Sequence, residues 1–371
     1  MLQACAAPDE KNGLAAMAEM NSPSVLIIVL NWNGKSDTLE CLASLQSITY
    51  PSLKIVVIDN GSTDDSEETI KEAFPNVTVI QNGENLGYAE GNNVGIRHAM
   101  ECGADFVFVL NNDTITDANV VSALVVQAGK NPNAAILGPK IYFYEQRDTI
   151  NSAGGHLDYE TLARGHIGHG VRDDGSVYAS VVPVEWVTGC AMLLRLSALR
   201  EVGVFDSDYF LICEDLDLCT RMRKRGFEIL FVPEAKLWHK VSAAFDGNFS
   251  AVYCYYFFRN ILLYAWKNFA DRRFALYRKL LRDSREFYRR LKRTGDADYR
   301  RKGFCIVMGV IHFFAAIWGK APEWIFTINF SHPGSGYENQ ETAEHPSIAV
   351  GDIGEREKHL AVSGQHHYGP R

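Results

Sequence analysis

Three short stretches of this 371-residue chain place acids and amides where charge chemistry could be done. VVIDNGSTDDS carries Asp59 and Asn60, VLNNDT carries Asn111, Asn112 and Asp113, and CEDLDLCTR carries Glu214, Asp215 and Asp217. Such acids suit a reaction in which a polyanionic leaving group departs and an alcohol attacks. A departing diphosphate calls for a divalent cation, Mg²⁺ or Mn²⁺, which prefers carboxylate and phosphate oxygens. An alcohol acceptor calls for a general base, worth roughly 10² to 10⁴ in rate. One carboxylate cannot do both jobs at once. Asp113 lies two residues after Asn111 at the end of an apolar run. Side chains at i and i+2 of an extended chain face the same way, so both could address one ion or one diphosphate, with Asp113 as the metal ligand. Glu214 and Asp215 open a helical pattern that ends in basic residues, as the helix dipole favours. Backbone N–H groups at a helix start hold a carboxylate and lower its pKa. A base there therefore needs burial or a neighbouring acid. Capping explains one acid, not three in four residues. Asp217 and Arg221, four apart, are expected to pair structurally. His239, in LWHK, suits Mn²⁺ if a carboxylate is near, although a lone histidine is more often a surface or core residue.

These residues need elements to position them. SVLIIVLNW, KIVVIDNGS, VTVIQN and FVFVLNND read as strands, the apolar ones buried on both faces of a parallel sheet. Helical patterns separate them at Ser36–Ser47, Asp64–Phe74 and Gly87–Cys102, with another from about Asp117 to Gly129. In the third, Gly91 and Gly95 lie one turn apart and allow close packing. This alternation over the first ~140 residues implies an α/β fold with a mostly parallel sheet, which binds ligands at the carboxyl ends of its strands. Residues 135–184 are irregular and Gly-rich. SALREVG and CEDLDLCTRMRKRG then read as helices, VEWVTGCAMLLR as a strand or strand–turn, and EILFVP as a strand followed by KLWHK.

The net charge of −8 argues against a general nucleic-acid binder. It hides a basic stretch, 271–302, with 13 Lys/Arg against 5 Asp/Glu. Residues 303–319 follow, with His312 as their only ionisable side chain. A basic segment beside an apolar helix suits peripheral contact with an anionic membrane surface, here the cytoplasmic face of the inner membrane. A packed soluble hairpin and a true span, for which 17 residues is the lower limit, are the other readings. The eight cysteines show no zinc spacing and suit reduced thiols in a cytoplasmic protein. Residues 1–20 lack the apolar core of a secretory signal. Expected domains are a flexible tail at 1–23, a catalytic domain at 24–265, a basic and apolar helical extension at 266–320, and a polar, disordered tail at 321–371 that contains His366 and His367.

The ordered series VLNWNG, VVIDNGSTDDS, NLGYAEGNNVGIRHA, VLNNDT, GCAMLLR, CEDLDLCTR and WHK resembles family-2 glycosyltransferases of the GT-A fold, especially their rhamnosyltransferase-like branch. The resemblance covers residues 24 to about 265. It implies an inverting, metal-dependent transfer of a sugar from a UDP- or dTDP-sugar to a saccharide or lipid-linked saccharide, for cell-surface polysaccharide synthesis. It further implies that Asp59 hydrogen-bonds the nucleotide base, and that Asn31, Asn60, Asn85, Gly87, Asn92 and Asn112 line the donor pocket. Asp113 matches the last acid of a DxD-type motif whose first position is here Asn111. By the same resemblance Asp215 is the general base beside Glu214, His239 is a metal ligand, and Gly189, Cys190 and Arg259 lie on the acceptor side. A nicotinamide or flavin enzyme would want GxGxxG after the first strand, and NWNG does not supply it. A sugar nucleotidyltransferase would want a Gly-rich basic loop there, which 31–40 lack. A non-catalytic nucleotide-sugar or carbohydrate-binding protein of the same fold is the rival from a different class.

Overall fold

A computed structural model describes residues 22–240 and 250–328. Most of the two expected tails, with His366 and His367, lies outside the described residues. The amino-terminal half alternates as its apolar runs require: β1 (Val25–Asn31), α1 (Lys35–Leu45), β2 (Leu53–Asp59), α2 (Ser66–Ala73), β3 (Thr78–Gln81), α3 (Gly87–Glu101) and β4 (Phe106–Asn111). These four strands are parallel. Ile27, Ile28, Val57, Phe108 and Val109 have no exposed surface, which is what unbroken apolar runs achieve with helices on both faces. Each such side chain contributes about 1.5–3 kcal/mol of burial. Gly91 and Gly95 bring α3 onto the sheet, since a Cβ there would lie 2.7 Å from Leu30 and from Ile28.

Further along come β5 (Thr114–Thr116), α4 (Val120–Lys130), β6 (Ala134–Phe143), β7 (Ile150–Ser152), β8 (Gly155–Leu157), β9 (Arg164–His166), β10 (Val182–Pro183), β11 (Ala191–Arg195), α5 (Leu196–Val202), α6 (Glu214–Lys224) and β12 (Glu228–His239). The main sheet has ten strands in the order β10-β12-β6-β11-β4-β1-β2-β3, with β5 on β12 and β7 on β6. The sheet is largely parallel and flanked by helices, as the GT-A class requires. β11 inserts antiparallel between β4 and β6, so Cys190 reaches the end of β4, where the Asn111 N–H donates to its carbonyl (2.9 Å). β12 absorbs the Pro233 irregularity in a register shift and continues to His239. That histidine therefore ends a strand rather than following one.

The aromatic run after residue 250 forms α7 (Ala251–Asn268), followed by α8 (Arg273–Arg293), α9 (Tyr299–Phe314) and α10 (Trp324–Thr327). Two expected boundaries move. Residues 265 and 266 are neighbours inside α7, so the helical extension has no seam there. Ala321 and Ile325 are buried, so 321–328 belong to the packed structure rather than to a tail. Among the described residues no helix is long and apolar enough to cross a membrane. The seven described cysteines are free thiols.

Candidate active site

Strand register sets the candidate residues level. Asn31 pairs with Asp59, Leu30 with Asn111, and Asp59 with Gln81, so the carboxyl ends of β1–β4 form one row. Asp59 is fully buried, and its carboxylate accepts from Asn31 Nδ2 (2.7 Å), the Ser62 N–H (2.8 Å) and Gln81 Nε2 (3.0 Å). It thus holds the β2 loop, and it offers no open face of its own. Asn31 extends the same network. Its Oδ1 accepts from the Thr38 hydroxyl (2.8 Å) and the Gly34 N–H (3.2 Å), while Asn112 Nδ2 donates to Thr38 (3.0 Å). Asn60 donates to the Gly87 carbonyl (3.0 Å) and to Asn85 (3.2 Å), and Asn85 in turn accepts from the Gly87 N–H (2.8 Å). Gly87 takes a left-handed φ of +81, and a Cβ there would meet Phe210 at 2.5 Å, so only glycine suits this turn. Asn92, on α3, is fully buried, and its Oδ1 has no hydrogen-bond partner.

The paired acids differ in environment. Asp215 is half-buried and accepts from the Gly189 N–H (2.9 Å) and the Leu216 N–H (2.7 Å). Glu214 is buried, with Oε2 unpartnered. Burial, and then the adjacent Asp215, pushes the Glu214 carboxyl well above its ordinary range, which favours its neutral form. Burial also raises Asp215, against the hydrogen bonds from Gly189 and Leu216 and the nearby charge of Arg164. Burial thus supplies the compensation that a base at a helix start needs. Asp217 pairs with Arg221 (2.7 Å), as the i, i+4 spacing implies. Because Glu214 favours its neutral form when folded, its contribution to stability is full below the usual glutamate value of ~4.3 and is lost as pH rises. Glu214→Gln is therefore expected to lose less thermal stability than the wild type between acid and neutral pH, as measured by melting temperature. Parallel pH dependences in the two proteins would contradict this.

Across the site, Asp113 Oδ1 and His239 Nε2 lie 3.2 Å apart, brought together where β5 pairs with the end of β12. Burial would lower the His239 pKa, but Cys190 and Asp113 hold it well above its ordinary value. Segment 189–190 joins the two halves: the Gly189 N–H donates to Asp215, and the Cys190 carbonyl accepts from the Asn111 N–H two residues before Asp113. Gly189 must be small, since a Cβ would lie 2.8 Å from the Tyr88 hydroxyl, which donates to the Gly189 carbonyl. Among the described residues no group of three or more His, Cys, Asp or Glu converges on a metal position. One carboxylate and one imidazole, the latter only in its neutral form, would fit a cation such as Mn²⁺ that takes its remaining ligands from a diphosphate and water.

Three expectations need correction. Asp59, fully buried with its carboxylate taken by Asn31, Ser62 and Gln81, has no surface to offer a nucleotide base. The chain turns at Asn112–Asp113, directly after β4, so the extended-strand reason for pairing Asn111 with Asp113 does not hold. Arg259 has no exposed surface and cannot touch an acceptor; its guanidinium bonds main-chain carbonyls instead. Tyr88 and Arg164 are residues near the acids that the motifs did not single out. Burial, then Glu214 and Asp215, raises the Tyr88 phenol, which keeps its proton to donate. The Tyr88 signal was present in NLGYAEG; nothing local to Arg164 marked it.

A largely parallel sheet flanked by helices, with acids gathered at its strand ends and at the start of α6, fits a glycosyltransferase. The chain belongs to the glycosyltransferase-like family 2, whose model matches residues 23–252. The N-acetylglucosaminyl-diphospho-decaprenol L-rhamnosyltransferase of Mycobacterium tuberculosis is 32% identical over 220 residues, which covers 53% of this chain and 70% of that protein. The poly-beta-1,6-N-acetyl-D-glucosamine synthase of Staphylococcus epidermidis is 27% identical over 220 residues, and the match spans 58% of this chain and only 50% of that synthase. The mannosyltransferase of Pyrobaculum calidifontis, solved with GDP-Man and Mn²⁺, matches with a TM-score of 0.49 at 14% identity, over 82% of this chain and 94% of that one.

Proposed function

We propose that the chain is an inverting transferase that moves a sugar from a UDP- or dTDP-sugar to a hydroxyl of a saccharide or lipid-linked saccharide during cell-surface polysaccharide synthesis. The observation that carries this reading is the 189–190 segment, which ties the half-buried Asp215 to the end of β4 that leads into Asp113 and its partner His239. In one in-line displacement the acceptor oxygen bonds to the anomeric carbon as the carbon–diphosphate bond breaks. The acceptor proton passes to Asp215, and the leaving diphosphate takes the bonding electrons. Asp113 and His239 would hold Mg²⁺ or Mn²⁺, which supplies neutralisation of the diphosphate when bound. Asn31, Asn60, Asn85, Gly87 and Asn112 set the donor loops, Asp59 fixes them from below, and the buried Asn92 backs them from α3. Incubating the protein with UDP-, dTDP- and GDP-sugars is expected to release nucleoside diphosphate with one of the first two. Donor binding without release in any of them would identify a non-catalytic binding protein. The M. tuberculosis relative, named for a diphospho-decaprenol acceptor, favours a lipid-linked acceptor here.

Such an acceptor places the enzyme at the cytoplasmic face of the membrane, and the C-terminal helices present a surface for it. Val307, Ile311 and Phe314 form an exposed stripe on α9. Phe274 (71% exposed) and Phe314 (60% exposed) both pack their rings 6.2 Å from Tyr277, so the stripe continues onto α8. The same face of α8 then runs through Arg278, Arg282 and Arg285, all exposed and without ion-pair partners among the described residues. An apolar stripe beside an arginine row suits anionic lipid. The full chain is expected to co-sediment with phosphatidylglycerol vesicles at low salt and to release as salt rises. Changing the three arginines to glutamine is expected to weaken binding about 100-fold, at ~1 kcal/mol each. A wild type that stays in the supernatant at low salt sinks this assignment.

A further inference from the structure

The five residues before Glu214 follow a backbone path that ordinary side chains resist. Phe210, Ile212 and Cys213 take left-handed φ values of +64, +68 and +77, and none of them is glycine. For bulky and β-branched residues such values cost on the order of 1–3 kcal/mol each and persist only where the surroundings enforce them. The enforcement comes from two fully buried neighbours on α7. Asn260 Nδ2 donates to the carbonyls of Tyr209 (2.9 Å), Leu211 (2.7 Å) and Ile212 (2.8 Å). Arg259 donates to the Tyr209 carbonyl (2.9 Å) and the Gly319 carbonyl (2.6 Å), and its Nε bonds Asn260 Oδ1 (2.8 Å), which fixes the orientation of the amide.

What this loop touches gives the arrangement its meaning. At one end Cys213 caps α6, so the loop sets where Glu214 and Asp215 begin. In its middle the Phe210 carbonyl accepts from the Ala89 N–H (3.1 Å), and the Phe210 ring fills the space over Gly87. The loop therefore spans from the donor-side turn to the base. At its other end the Asp208 carbonyl accepts from the Gly319 N–H (2.8 Å), beyond α9.

We infer that Arg259 and Asn260 are positioning residues that clamp a strained 209–213 loop and thereby fix Asp215 against Gly189 and in line with the donor turn. Neither touches substrate. The inference rests on the reading of Asp215 as the base. Without the clamp the three left-handed residues relax, and the start of α6 loses its placement while the sheet and the donor loops remain.

The test compares Asn260→Ala with Arg259→Lys, Asp215→Asn and Ile261→Val in the full chain. Ile261→Val is a buried change on the same helix that leaves the clamp intact. A shift of about an ångström at a reacting group costs around 100-fold, so Asn260→Ala is expected to lower kcat by about that factor. The Kd for the nucleoside diphosphate, read by calorimetry, is expected to stay within about fivefold, because the Asp59 and Asn31 network is untouched. The acid limb of kcat/KM is expected to move, since Asp215 leaves the Gly189 N–H. Arg259→Lys, which keeps a cation but not the planar fork, is expected to lose less. If Asn260→Ala folds poorly, Arg259→Lys carries the comparison. Wild-type kcat and an unmoved acid limb in Asn260→Ala, with Asp215→Asn inactive, would overturn the clamp alone. So would kcat losses in Asn260→Ala and Ile261→Val that simply track melting temperature. An active Asp215→Asn would overturn the base reading instead.

Discussion

With Asp215 changed to asparagine, kcat is expected to fall by about 10²–10⁴-fold, the range a positioned general base supplies. The amide keeps the size of the carboxylate and can still accept from the Gly189 N–H, so the local structure holds while proton acceptance is lost. Nucleoside diphosphate affinity is expected to remain within about threefold, because the donor network runs through Asn31, Asp59 and Asn60 on other elements. Calorimetry that shows donor binding lost together with turnover would remove Asp215 from its role as base. The pH profile provides an independent check. Asp215 is raised by burial and must be ionised to act, so the acid limb of kcat/KM is expected above the ordinary aspartate value of ~3.9. Activity is full above that limb and falls as pH drops through it.

Removing the carboxylate on the other side of the site has a different signature. Asp113→Ala is expected to lower kcat/KM by roughly 10²–10³-fold, comparable to loss of one preorganised stabiliser of transition-state charge. The loss is expected to appear in Mn²⁺-dependent nucleoside diphosphate binding, to be partly relieved by excess Mn²⁺, and to vanish when both proteins are measured with chelator. His239 cannot compensate alone, because the cation is read as held by both an imidazole and a carboxylate, whose Nε2 and Oδ1 lie 3.2 Å apart. A variant whose metal dependence matches the wild type would refute the assignment.

Opposite results in these two variants would be informative together. A dead Asp215→Asn with an unaffected Asp113→Ala would keep the base and discard the cation-binding pair. The reverse would keep the diphosphate site and send the search for a base to Glu214 and Tyr88, the groups whose ionisation responds to the Asp215 charge.

The α/β class, the parallel strands and the level of the site were determined by the sequence alone. Hydrophobic runs too long and too continuous for a one-sided sheet can be satisfied only by burial on both faces, and polar residues then collect at the strand ends. Asp59 and Asp113 stood out for that reason, Asp215 stood out in the acid cluster that opens a helical pattern, and the Asp217–Arg221 pair was legible because helical spacing is local. The tertiary structure alone decided which neighbours these residues have. The antiparallel insertion of β11 brings Gly189 onto Asp215 and Cys190 onto the end of β4, and no periodicity within 189–195 encodes its partners. The turn at Asn112–Asp113 replaced an extended-chain argument because pairing of β5 with β12 bends the chain there. Arg259 is the clearest case. A charged residue in an aromatic run gives no sign of whether it faces a substrate or a set of carbonyls. Only the packing of α7 against the 209–213 loop, 46 to 50 residues away in sequence, makes it part of the scaffold that aims Asp215.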